Sequence, residues 1–266
     1  MAETECAMVE DGTTALVPFS HASSFIDPLS LPFRIFTVNG TTVNIKQEMK
    51  RDGKGGTALG FGAAVYPAAI VLAHFIDFHY PRRHIAGKTV LELGCGVGFC
   101  AITAALCGAS KVIATDGDQG SVQLALDNIE NNAQALQAQR YAAADTEVSA
   151  VKLRWGELSD MARVVDMLGD GGRIDLIMGS DITACPYAEA MPLLLNCLLS
   201  LSDEETTIIL THKDRNVVEE SFWSSAREYF VVTSLPRTMI HPDFVSDQGL
   251  HITRMRRKPA KNSATK

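Results

Sequence analysis

The chain lacks the marks of several common functional classes. Its six cysteines are Cys6, Cys95, Cys100, Cys107, Cys185 and Cys197, and no two of them form a C-x-x-C pair. None is followed by a matching pair of histidines. A zinc site of the usual spacing is thereby excluded, and no metal is expected. Four of the six lie in or beside apolar runs, where cysteine behaves as a small hydrophobe. Free thiols with no visible signal peptide imply a reducing compartment. The expected location is the cytoplasm, with the nucleus as a second compartment.

Uninterrupted apolar length is also scarce. The segment Thr57 to Tyr80 is rich in Ala, Val, Ile and Phe, yet Gly60, Gly62, Pro67, His74 and Asp77 break it. A spanning helix needs about 20 apolar residues with few interruptions, so this segment reads as a loop leading into a buried helix, and no membrane partner is expected. Basic charge is in deficit: 24 Lys and Arg stand against 31 Asp and Glu, a net charge of −7. An acidic surface repels phosphate backbones, so no nucleic-acid partner is expected, whereas a basic protein segment would be tolerated. There is no internal repeat and no low-complexity tract.

The 266 residues, 46% hydrophobic and 21% charged, suffice for one large α/β domain with a continuous core. A monomer is expected. Residues 1–31 read as a flexible arm, 32–87 as a hairpin and helix packed on the core, 88–257 as the core, and 258–266 as a disordered basic tail beginning near Arg256. Phe33 to Val38 and Thr42 to Ile45 are β-prone runs joined through Asn39-Gly40, the strongest short-range hairpin signal. Lys50 to Gly56 is a charged, glycine-rich loop, and Pro67 opens the next helix.

From Lys88 onward strands alternate with helices. Strands are expected at Thr89 to Leu93, Lys111 to Thr115, Val148 to Trp155, Ile174 to Met178 and Thr207 to Leu210. Helices are expected at Ala101 to Leu106, Ser121 to Asn131, Met161 to Leu168, Met191 to Leu201 and Ser221 to Tyr229. Two last strands, Phe230 to Leu235 and Leu250 to Met255, follow with no helix between them. The fold class is α/β: a Rossmann-like, seven-stranded, mostly parallel sheet with helices on both faces. An antiparallel C-terminal hairpin closes it, and an N-terminal β-hairpin extends it.

The run Val90-Leu91-Glu92-Leu93-Gly94-Cys95-Gly96-Val97-Gly98-Phe99 ends a strand and opens a helix. Its glycines let the chain turn sharply and let a ligand lie against the backbone. In open α/β sheets ligands bind beyond the carboxyl ends of the strands. Two cofactors compete for this site. Gly96 to Ala101 formally fits the G-x-G-x-x-A pattern of a dinucleotide site, with Asp116 at the expected distance for a ribose acid. S-adenosylmethionine instead carries a sulfonium and an ammonium and no phosphate. Glu92, a carboxylate before the glycines, suits those cations and favours it. Its structural alternative is a strand-end cap. Trp155, in Trp155-Gly156, could stack on adenine or serve as a core aromatic. Asp181, in Gly179-Ser180-Asp181, lies where a transferred methyl would point or acts as a helix N-cap.

With those residues in view, the chain resembles the seven-strand protein-lysine methyltransferases of methyltransferase family 16. The likeness runs from the Asn39 hairpin to Arg257. Four blocks carry it: Gly60 to Ala69, Val90 to Phe99, Leu153-Arg154-Trp155-Gly156, and Asp175 to Asp181. The resemblance implies S-adenosyl-L-methionine as cofactor, with Tyr66, Glu92, Gly94, Cys95, Gly96, Gly98, Asp116, Trp155 and Ser180 around it. It implies Asp181 at the acceptor site and structural roles for Asn128 and Asn132. Two departures stand out. Tyr66 occupies a position where the family usually has Trp. Asp181-Ile182-Thr183 is followed by Ala184, where the family usually has Tyr; Tyr187 lies three residues further on. The function implied is protein-lysine N-methyl transfer to another protein. A small-molecule or histidine acceptor, or a non-catalytic cofactor-binding relative, is the alternative.

Overall fold

The computed structural model describes residues 27–49, 60–138, 146–184, 189–214 and 217–259. The expected arm therefore lies outside the described residues except for its last part, which is docked. Pro28–Ser30 form a 3-10 turn. Gln47 Nε2 holds it by donating to the carbonyls of Pro28 (3.0 Å) and Leu31 (2.7 Å).

Strands β1 (Phe33–Val38) and β2 (Thr41–Lys46) pair antiparallel, with Val38 opposite Thr41. Asn39 and Gly40 both adopt positive φ, 50° and 73°, as a tight two-residue turn requires. Val38, Val43 and Ile45 are buried, so the hairpin shares the main core.

Helix α1 (Pro67–His74) starts on Pro67 and widens into a π turn over Phe75–His79, where Tyr80 N–H donates to Phe75 O. The alternating unit follows. It comprises β3 (Thr89–Leu93), α2 (Phe99–Leu106), β4 (Lys111–Asp116), α3 (Gln119–Asn131), α4 (Ala133–Gln137), β5 (Glu147–Lys152) and α5 (Leu158–Leu168). It continues with β6 (Leu176–Ser180), α6 (Ala190–Leu201), β7 (Thr207–Lys213), α7 (Val217–Tyr229), β8 (Phe230–Ser234) and β9 (Leu250–Arg257).

Seven strands form one sheet in the order β5-β4-β3-β6-β7-β9-β8. The first five are parallel and β9 runs antiparallel to both neighbours. Residues of α1 to α3 bury one face of the sheet, and residues of α5 to α7 bury the other. Strand order reverses between β3 and β6, which opens a crevice at their carboxyl ends.

Three boundaries correct the sequence reading. β5 stops at Lys152 rather than Trp155. Leu153 N–H still bonds Asp116 O at 2.8 Å, but Arg154 N–H turns to the buried Asp160 carboxylate at 3.1 Å, and Gly156 has φ 86°. β6 begins and ends two residues later than expected and so includes Gly179 and Ser180. The basic tail does not begin at Arg256. Arg256 and Arg257 belong to β9, and Arg257 Nη1 donates to the carbonyls of Leu199 (3.0 Å) and Ser202 (2.7 Å). Side-chain charge concealed the last two residues of a strand that buries Ile252 on one face of the sheet and Met255 on the other.

Candidate active site

The chain between β3 and α2 bends at Gly94, Gly96 and Gly98, all at positive φ. The end of β4 stitches it in place. Cys95 N–H donates to Thr115 O (2.8 Å), and Thr115 Oγ1 donates to Glu92 O (2.7 Å). Asp116 Oδ2 accepts from Gly96 N–H at 3.0 Å, and its Oδ1 accepts from Asp118 N–H at 3.0 Å. The Gly117 N–H also donates to this carboxylate, so Asp116 closes the bend with three backbone donors. A carboxylate has about four acceptor sites, so it keeps acceptor capacity beyond those bonds.

The bend is less bare than the sequence implies. A Cβ on Gly94 would come within 2.6 Å of Ile182 Cγ2, and one on Gly179 within 2.6 Å of Ile182 Cδ1. Ile182 is therefore seated against both glycines and locks the turn after β6 to the bend after β3. Gly96 is met by the backbone of Gly62, whose Cα would lie 3.4 Å from such a Cβ. The Gly60 block thus crosses over the bend. No local signal announces either contact, because both partners are distant in sequence.

Glu92 is 1% exposed. Its Oε2 has no hydrogen-bond partner among the described residues. Burial pushes this carboxyl well above its usual range. The Ala101 backbone N–H and the Cys100 thiol oppose that shift, and nearby Asp116 adds to it. Burial likewise raises Asp116, against the backbone N–H groups of Asp118 and Gly96. Two acids at neighbouring strand tips thus resist ionisation together, and neither has an ion pair among the described residues.

The cysteines nearby are not reactive groups. Cys95 and Cys100 are buried, and burial raises both thiols well above normal. Cys107 and Cys197, also buried, are pushed up to about 12. Cys6 and Cys185 lie outside the described residues.

Asp181 takes φ 56°, the left-handed region, just past β6. It precedes a three-residue 3-10 turn, Ile182–Ala184, so it is not the N-cap of an α-helix. Its N–H donates to Thr211 O (2.8 Å), and its Oδ1 accepts from Lys213 N–H (3.0 Å). Behind this turn Thr183 Oγ1 donates to the buried Glu219 at 3.0 Å. Sequence reading missed Thr211, Lys213, Ile182 and Glu219, which act only through tertiary contacts.

Trp155 is half-buried against the α5–α6 core and sits in the turn beyond β5. Tyr66 is half-buried immediately before α1. Ser180 ends β6, close enough to the Cys100 thiol to oppose its rise. Tyr187 lies outside the described residues. Among the described residues no group of three or more His, Cys, Asp or Glu could hold a metal ion, and no helix is long and apolar enough to cross a membrane.

This geometry has relatives. Residues 42–229 match the family described as lysine methyltransferase. The chain belongs to that family. Its cofactor is S-adenosylmethionine. The "Protein N-lysine methyltransferase METTL21A" of Danio rerio is 31% identical over 90% of this chain and 95% of its own length. The "Protein-lysine methyltransferase METTL21E" of Mus musculus is 29% identical over 83% and 82%. A T. thermophilus 16S rRNA methyltransferase, solved with AdoMet and guanosine, superposes with a TM-score of 0.53 at 15% identity. That match covers 87% of this chain and 52% of the other, and it shows the shared fold. For this lysine methyltransferase family member, the orphaned Glu92 oxygen fits a cationic cofactor. A dinucleotide would add anionic charge beside two acids, the buried Glu92 and the half-buried Asp116, already held above their usual range.

Proposed function

We propose that this methyltransferase moves a methyl group from S-adenosylmethionine to the side-chain amine of a lysine in another protein. One observation carries the cofactor side: the buried Glu92 and the half-buried Asp116 stand at adjacent strand tips, and one Glu92 oxygen lacks a partner among the described residues. The lysine acceptor and the protein substrate are supported by the family and by relatives named for that activity over most of the chain.

In this reading Glu92 neutralises the cofactor's positive charge, and Asp116 accepts from its ribose hydroxyls with the acceptor capacity the bend leaves open. The backbone from Gly94 through Cys95 and Gly96 to Gly98 forms the floor. Tyr66 and Trp155 form aromatic walls, and Ser180 lines the side towards β6.

When bound, the cofactor supplies an activated sulfonium methyl for in-line displacement. The chain's residues then have to position the reactants and exclude water. A lysine ammonium has a reference pKa of about 10.4, and its proton must leave before attack. Burial beside Ile182 lowers that value. Asp181, its carboxylate aimed by the Lys213 N–H, orients the incoming amine. Ala184 leaves that task to Asp181 without the phenol usual in the family.

Purified protein incubated with methyl-tritiated cofactor and a cell lysate should label a discrete protein band. Acid hydrolysis of that band should yield methyl-lysine. Methyl-histidine or methyl-arginine would change the acceptor. Unlabelled protein throughout, with the cofactor shown to bind, would overturn the transfer.

A further inference from the structure

Helix α3 turns one face towards both the bend and the hairpin. Ser121, Ala125 and Asn128 lie along it at helical spacing, and Asn132 follows as its C-cap. Ala125 sits under Gly98, where a Cβ on the glycine would come within 3.0 Å of Ala125 Cβ. One turn further on, Asn128 is wholly buried. Its Nδ2 donates to Val97 O at 2.9 Å and to Lys46 O at 3.0 Å, and its Oδ1 accepts from Lys46 N–H at 2.8 Å. Asn132 makes the neighbouring pair: Asn44 N–H donates to its Oδ1 at 3.0 Å, and its Nδ2 donates to Asn44 O at 2.9 Å. Two side-chain amides thus pair with the free edge of β2 as a strand would. Of the two, Asn128 reaches the bend as well; the Asn132 Nδ2 bonds Asn128 O instead.

The bond to Val97 has leverage. The Val97 carbonyl and the Gly98 N–H belong to one planar peptide. Gly98 N–H donates to Cys95 O at 2.8 Å and closes the turn. Fixing the carbonyl therefore fixes the plane of that turn. Val97 is 3% exposed, so water is poorly placed to replace the amide.

We propose that Asn128 is a positioning residue of the cofactor site. Through Val97 O it sets the Val97–Gly98 peptide, and through Lys46 it clasps the hairpin, so hairpin order and cofactor affinity are coupled. The proposal rests on the reading that this bend holds S-adenosylmethionine.

The test compares Asn128→Ala with Asn132→Ala by calorimetry with S-adenosylmethionine, at a temperature where both variants are folded. Both remove a clasp on β2, but Asn132→Ala leaves Val97 held. Asn128→Ala should weaken binding about tenfold or more, the equivalent of about 1.4 kcal/mol, and Asn132→Ala less than about twofold. Equal weakening by the two, or none by either, overturns the proposal. Should Asn128→Ala not fold, amide exchange in the wild type decides. Saturating cofactor should slow exchange of the Lys46 N–H several-fold, and an unchanged rate overturns the coupling. Failure of the wild type to bind the cofactor at all sinks the underlying reading, and this proposal with it.

Discussion

Asp181 and Lys213 are tied backbone to side chain: the Lys213 N–H donates to Asp181 Oδ1 at 3.0 Å. The bond crosses from the end of β6 to the end of β7 and holds a carboxylate in the left-handed backbone region. Aspartate and asparagine tolerate that region better than most residues. Shape and charge at this position can therefore be separated by substitution.

Asp181→Asn keeps an oxygen for the Lys213 N–H and keeps a residue suited to φ 56°. Thermal stability and cofactor affinity should stay close to wild type, while kcat falls on the order of 10²-fold as amine orientation is lost. Asp181→Ala loses the bond and strains the backbone, so its Tm should fall as well, with a loss of about 1–2 kcal/mol of stability. Single-turnover methylation beside thermal denaturation reads both. A wild-type rate in Asp181→Asn would remove Asp181's charge from the reaction.

Glu92 sets stability against binding. Its carboxyl is raised in the folded protein, so its contribution to stability is fully present at low pH and is lost as pH rises through the folded value. Glu92→Gln should therefore be more stable than wild type at neutral to alkaline pH when no cofactor is present, and should bind S-adenosylmethionine more weakly. A cation bound beside the raised carboxyl lowers its pKa, so wild-type binding should release protons and tighten with pH. Calorimetry in two buffers of different ionisation enthalpy measures that release. Buffer-independent heats would show that Glu92 does not meet the positive charge.

His212 gives the opposite slope. Its side chain is 7% exposed against Trp223, 4.7 Å between ring centroids, and its Nδ1 has no partner among the described residues. Burial, with His251 alongside, holds it down to about 4, against the pull of Asp214. A histidine buried neutral leaves the unfolded chain with more bound protons between its two pKa values. Stability should thus fall as pH drops from about 6.5 towards 4, by at most about 3 kcal/mol from this one group. His212→Phe keeps a ring on Trp223 and should flatten that part of the curve. Urea denaturation from pH 4 to 7 distinguishes the two proteins, and parallel slopes would remove His212 as a source of acid sensitivity.

The alternation of β-branched runs with helical periods, the Asn39-Gly40 turn and the spaced glycines after Glu92 were legible from the chain alone. Each is a local effect: a strand needs a period of two, a tight hairpin needs positive φ at both turn residues, and a sharp bend needs missing Cβ atoms. Those features were enough to give the class of fold and the carboxyl strand ends where a cofactor would lie. Arg256 and Arg257 read as tail because charged tips outweigh the buried residues of β9, and Trp155 reads as strand because nothing local marks the turn towards Asp160. What tertiary structure decided was contact between distant segments. Ile182 seated on Gly94, Gly62 laid over Gly96, Asp181 fixed by Lys213 and Asn128 bridging Val97 to Lys46 all join elements far apart in sequence. Such contacts depend on which strands become neighbours in the sheet, and strand order is set by packing of the whole core.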